Sequence, residues 1–216
     1  MNPLILSVFL FFISNISSPN KSTSSEAHYF EGTVTYTGGF IRKTDKYDST
    51  TLALLAGNET ILFFREGNYL AEMDNSITTR LLYRKDENKI YRERFNSDSV
   101  YWTPCDEPGQ KILKFTKNKN VEKILDIDCD ELKIIYENRT TSYYYNADTL
   151  KINPVWSKNS ISMNEDFIAR EMKSISLKIV IEYHDFILTA TAVKIVAKKI
   201  DNSIFDIPNK PLAKYN

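Results

Sequence analysis

The chain has 216 residues, 42% of them hydrophobic and 26% charged, enough to bury one core, so one domain is the default. Its 28 basic and 28 acidic residues are interspersed and cancel to a formal net charge of +0, which argues against nucleic acid, since phosphate binding needs a concentrated cationic face. The 13 Tyr and 12 Phe, set against only 6 Gly, favour strands over helices.

Pro3–Ile13 is a short apolar run followed by the small and polar Ser14–Ser25. It is too short to span a bilayer as a stable helix and predicts a secretory signal peptide, although no Lys or Arg precedes it. The competing readings are an uncleaved membrane anchor, which would be the chain's one membrane contact, or a buried segment. No cysteine follows the run, which excludes the lipid-modified N-terminus of a bacterial lipoprotein. Asn20–Glu26 reads as a disordered leader, leaving residues 27–216 as one domain in the periplasm, outside the cell or on the envelope.

Tyr29–Tyr36 alternates, with Phe30, Gly32, Val34 and Tyr36 on one side, and predicts a half-buried strand that Gly38-Gly39 breaks or bulges. Thr50–Ala56, closed by Gly57, predicts a short helix. Thr60–Arg65, Tyr69–Asp74, Thr78–Arg84, Lys89–Phe95 and Val100–Thr103 follow as a β-meander, with tight turns at Glu66-Gly67-Asn68, Asn75-Ser76 and Asp86-Glu87-Asn88. The basic Lys111–Asn120 reads as a solvated loop or a strand edge. Asp126, Asp128 and Asp130 have the opening spacing of a calcium loop but lack its central glycine and distal glutamate, so they read as the wet side of a strand.

Leu132–Tyr136 and Thr140–Tyr145 predict a hairpin around Glu137-Asn138-Arg139. Glu165–Lys173 predicts a second short helix, capped by Asn164 with acids in its first turn. Ser176–His184, with Leu177, Ile179, Ile181 and Tyr183 on one side, pairs with the long Ile187–Ile200, and so long a hairpin suits a strongly curved sheet. Ser203–Pro208 predicts a short closing strand.

Cys105 and Cys129 are the two cysteines, and in an exported chain they predict a disulfide. It would close a loop of about 25 residues and contribute ~3 kcal/mol. Two free, buried thiols are the competing reading. His28 and His184 do not sit at ligand spacing from a cysteine, so neither a metal nor a cofactor is expected.

Four segments occur in a recognisable order: Phe30–Thr37 (FEGTVTYT), the Asp128-Cys129 strand, Tyr143–Trp156 (YYYNADTLKINPVW) and Thr191–Pro208 (TAVKIVAKKIDNSIFDIP). Together they resemble a family of uncharacterised exported proteins of Gram-negative bacteria, grouped under domains of unknown function. One detail departs from it, because Ile127-Asp128 precedes the cysteine where that family often has a glycine. The family is similar in architecture to the periplasmic lipoprotein carriers. The resemblance implies a mostly β (α+β) fold, a single curved antiparallel sheet (half-barrel) with short helices over its concave face. It also implies a cavity between sheet and helices fit for an acyl chain or another apolar group.

No nucleophile–histidine pair, phosphate loop or carboxylate signature stands out, so no enzyme is expected. The aromatics Phe63, Phe64, Tyr69, Trp102, Tyr143, Tyr145, Trp156 and Phe167 are candidates to line an apolar pocket, against the plainer reading that they form the core. Phe63 and Phe64 are adjacent, so only one of them can face inward. Two functions follow. One is a carrier of a lipid, lipoprotein or other hydrophobic ligand beneath the Thr50–Ala56 and Glu165–Lys173 helices. The other is a structural or interaction module of the envelope that binds a protein partner through an exposed edge or face.

Overall fold

Apolar alternation between Asn- and Gly-bearing turns dictates a chain of strands, and the computed structural model, which describes residues 28–215, shows them joined in one sheet. The first half comprises β1 (Gly32–Arg42), α1 (Ser49–Ala56), β2 (Glu59–Arg65), β3 (Asn68–Met73), β4 (Thr78–Arg84), β5 (Lys89–Arg94) and β6 (Val100–Pro104). The second comprises β7 (Lys114–Ile124), β8 (Ile127–Ile135), β9 (Arg139–Tyr145), α2 (Glu165–Met172), β10 (Ser176–Tyr183), β11 (Phe186–Ala197) and β12 (Leu212–Lys214). The 12 strands lie in the order β12-β6-β5-β4-β3-β2-β1-β11-β10-β9-β8-β7, an open, curved half-barrel. Neighbours are antiparallel, except that β12 runs parallel to β6. Two meanders therefore meet where β1 pairs with β11, from Gly32↔Ala197 to Arg42↔Phe186. The predicted signal peptide and leader, residues 1–26, lie outside the described residues. Among the described residues no helix is long and apolar enough to cross a membrane.

The turns form where short polar side chains accept left-handed backbone: Asn75, Asn88 and Asn120 all have positive φ. The predicted break at Gly38-Gly39 does not occur, since β1 runs on to Arg42 and its register shift falls earlier, between Thr35 and Tyr36. Gly38 serves a close approach instead. A Cβ there would stand 2.2 Å from the Gly57 carbonyl oxygen and 2.5 Å from that of Ala56, at the end of α1. That helix is capped by Asp48, which accepts from the Thr51 N–H (2.8 Å), and it buries Leu52 completely.

The sheet is apolar on both faces. Pairing from β2 to β6 sets Phe64, Tyr69, Tyr83 and Ile90 in one cross-strand row, and Phe63, Leu70, Leu82, Tyr91 and Trp102 in the adjacent one. Side chains of neighbouring rows point to opposite faces. The Phe63 row is covered by Ile200, Ile204, Phe205 and Ile207 from the end of the chain. Ser203–Pro208 is therefore not a strand. Asp201 accepts from the Ser203 N–H (2.9 Å) and starts a 3-10 turn, Asn202–Phe205, that buries Phe205.

Lys111–Asn120 belongs largely to β7, the exposed outer edge, whose lysines discourage pairing with another chain. Asp126 sits in the β7–β8 turn with positive φ, and Asp130 accepts from Lys119 and the Asn120 N–H.

The predicted disulfide is absent: both cysteines are free and buried. Cys105 packs with Tyr83 and Ile90 just after β6, whereas Cys129 lies on β8 in the cluster of Val34 and Leu177. Strands β5 to β1 and β11 to β9 separate them, so the sheet holds them too far apart to bond. Burial pushes both thiols up, away from the reactive thiolate. Maleimide is expected to modify both after unfolding without a reductant. Failure of either to react would show a bridge.

Candidate functional site

On the face carrying the Phe64 row, the sheet and α2 line a cavity of about 350 Å³ that opens to solvent. Strand β2 supplies Leu62 and Phe64, β3 supplies Tyr69, and β9 supplies Tyr143. Ile179 and Ile181 come from β10, while α2 lowers Ile168, Ala169 and Met172 onto them. The register shift between Ser176 and Lys178 re-aims the start of β10, so that Ser176 also reaches the wall. Met163, 48% exposed, stands at the mouth.

The roof is held by few backbone bonds. Lys151 and Ser174 form an isolated bridge, flanked by Ile152 N–H to the Lys173 carbonyl (2.9 Å) and Ile175 N–H to that of Leu150 (3.0 Å). Tyr36, buried below, donates to the Ser176 carbonyl (2.8 Å) and locks the strand side. Asn164 does not cap α2 through its side chain. It adopts a left-handed conformation and donates to the Gln110 carbonyl (2.9 Å), leaving the first turn to Glu165 and Asp166.

Glu165 is the charged group of the cavity wall. It lies on the stripe Glu165, Ile168, Ala169 and Met172, spaced i, i+3, i+4, i+7, the positions that face inward on an amphipathic helix. Its carboxylate oxygens accept from the Tyr69 hydroxyl (2.5 Å) and the Ser160 hydroxyl (2.5 Å). Burial pushes its carboxyl above the usual range, outweighing both hydroxyls and the weaker pull of Arg92. Some of its surface stays open toward the cavity, yet protein encloses it closely enough for desolvation to dominate. Burial, then the Glu165 charge, holds the Tyr69 hydroxyl well above its ordinary value. Tyr83 stacks on Tyr69 at 5.2 Å and is pushed up to about 12, again mainly by burial. The loop bearing Ser160 is pinned by the Cys105 carbonyl, which accepts from Ile161 N–H (2.7 Å) and Ser162 N–H (3.1 Å).

The expected pocket aromatics scatter. Tyr69 and Tyr143 line the cavity, and Trp156 backs it, packed edge-on to Tyr29 (5.1 Å) and tilted against Phe64 (6.1 Å). Phe64 faces in, not Phe63. Phe63 and Trp102 sit on the opposite face beneath the C-terminal segment. Tyr145 shares the face of Tyr143 but is packed solid among Leu132, Ile134 and Met172. Phe167 turns from the cavity to meet Phe115 edge-on (5.0 Å). Of the two helices only α2 lines the site, because α1 packs on β1 and β11 instead. Glu165 was legible only as a first-turn acid, and its place on the apolar stripe is the signal for its burial.

No family model matches the chain, and no curated protein matches it. Among solved structures, two of PNGF-II are similar with TM-scores of 0.44 and 0.45, at 15% and 14% identity. They cover 85% and 86% of this chain, which spans only 31% of the PNGF-II chain. The Mycobacterium tuberculosis lipoprotein LppX gives a TM-score of 0.32 at 8% identity, covering 79% of this chain and 89% of its own.

Proposed function

We propose that this is an exported binding or carrier protein of the periplasm or cell envelope that holds a hydrophobic ligand, such as the acyl chain of a lipid or lipoprotein, beneath α2. The cavity carries the reading: it lies between the sheet and a helix, and its wall is mostly aliphatic and aromatic. Its volume sits toward the lower end of the ~300–1,000 Å³ usual for ligand sites. Export rests on the apolar Pro3–Ile13 run.

Burial of about eight methylenes would contribute ~6 kcal/mol at ~0.8 kcal/mol each. The cost of immobilising the ligand offsets much of that, so the complex is weak and reversible, as carriage requires. Release then follows from lifting α2, an element of two turns tethered by the bridge at Lys151 and Ser174.

The test is a titration of the full chain with N-phenylnaphthylamine, a neutral dye that brightens in apolar surroundings. Saturable enhancement, reversed by decanol, is the expected result. A flat titration would overturn the proposal.

A further inference from the structure

We infer that the preferred ligand carries a cationic amine at the head of its apolar body and that Glu165 receives it; this deepens the binding reading above and rests on it. Neither Lys, Arg nor His is among the residues lining the cavity, so the one charge its wall can carry is the negative charge of Glu165. The hydroxyls of Tyr69 and Ser160 donate to it, and each has this carboxylate as its acceptor. Both bonds favour the charged form, against the burial that pushes the carboxyl up, and a bound cation would tip the balance toward the charge. A carboxylate has about four acceptor positions, of which two are filled here.

Surrounding a carboxylate with protein and no counter-ion is unfavourable, and two hydroxyls with the positive end of an eight-residue helix offset only part of that cost. The remaining positions on the stripe, Ile168, Ala169 and Met172, are apolar. Among the described residues no cation forms an ion pair with Glu165. Arg92, which exerts the weak pull, donates instead to the Thr103 hydroxyl (3.0 Å).

An ammonium entering with an alkyl body would supply the missing charge and the N–H donors together. Away from bulk water that attraction is far stronger than at a surface. A fatty acid anion would bring a second negative charge into the same enclosure, and a neutral alcohol would neither gain nor lose by the charge. The alkyl body is held by the apolar wall, and the head is chosen by one side chain.

The experiment displaces N-phenylnaphthylamine from the full chain with decylamine, decanol or decanoate at neutral pH, each below its micellar concentration. Decylamine is expected to displace the dye at a concentration at least about tenfold lower than decanoate, with decanol between them. In Glu165→Gln the amine and the acid should converge to within about threefold, while Ser160→Ala, which keeps the charge, should retain the preference. Decanoate equalling decylamine, or a preference that survives Glu165→Gln, would overturn the inference and leave the binding reading intact. Displacement by none of the three would overturn both. If Glu165→Gln does not fold, the order among the three ligands on the unaltered chain decides.

Discussion

Ile179→Trp is expected to abolish dye binding while the chain stays folded. Ile179 faces the cavity from β10, opposite Tyr143 on β9 and Ala190 on β11. An indole in its place projects into space that is already empty, so it fills the ligand's volume rather than forcing the sheet apart. Overpacking a filled core costs about 1–3 kcal/mol, and much of that is avoided where a void receives the ring. The dye's affinity should fall at least about a hundredfold, equivalent to ~2.7 kcal/mol. Thermal unfolding measured alongside separates occlusion from collapse. Unchanged binding in a folded variant would place the dye elsewhere.

Gly38→Ala is expected to destabilise the protein by about 3 kcal/mol, at the upper end of what overpacking costs. The new methyl would meet the carbonyl oxygens of Gly57 and Ala56 at 2.2 and 2.5 Å, and backbone cannot swing aside as a side chain can. Either α1 lifts from β1, exposing Leu52, or β1 bends and strains its pairing with β11. The neighbouring Gly39→Ala is the control. Its nearest obstacle is the Thr189 hydroxyl at 2.9 Å, the movable end of a side chain, and alanine regains about 0.5–1 kcal/mol of the entropy that a strand glycine forfeits. Urea unfolding should separate the two variants clearly, and equal midpoints would refute the close-packing account.

The meander strands and both helices were legible because they are short and punctuated by Asn or Gly; β4, for example, spans Thr78–Arg84 as read, whereas the lysine-rich β7 reads as a loop or an edge and β12 was not legible at all. What stayed hidden is sidedness. A sheet apolar on both faces erases the contrast between wet and dry positions, so nothing local chooses between Phe63 and Phe64. Only the pairing with β3, which aligns Phe64 with Tyr69 and Phe63 with Leu70, assigns them. The second face also needed a cover, and the cover is a proline-bearing tail whose composition resembles a loop. Phe205 and Ile207 matter because they find Leu70 and Leu82, residues far away in the chain. For the cavity, β10 revealed its inward side through Ile179 and Ile181, although the register shift puts Ser176 rather than Leu177 on the wall, whereas Glu165 was hidden by its usefulness at a helix start. The pairing expected of Cys105 and Cys129 failed for the same reason: position in the sheet is a long-range property.

The meeting of β1 with β11 also governs when this molecule can come into being. Glu31 accepts from the Ile200 N–H across 169 residues of sequence, and the tail closes over strands made long before it. Contacts of such high sequence separation slow folding, because the entropy of closing the long loop is lost before any of them forms. The early meander therefore cannot bury its second face until the segment holding Ile200, Ile204, Phe205 and Ile207 has been made, so the two halves of this core are separated in time as well as in sequence.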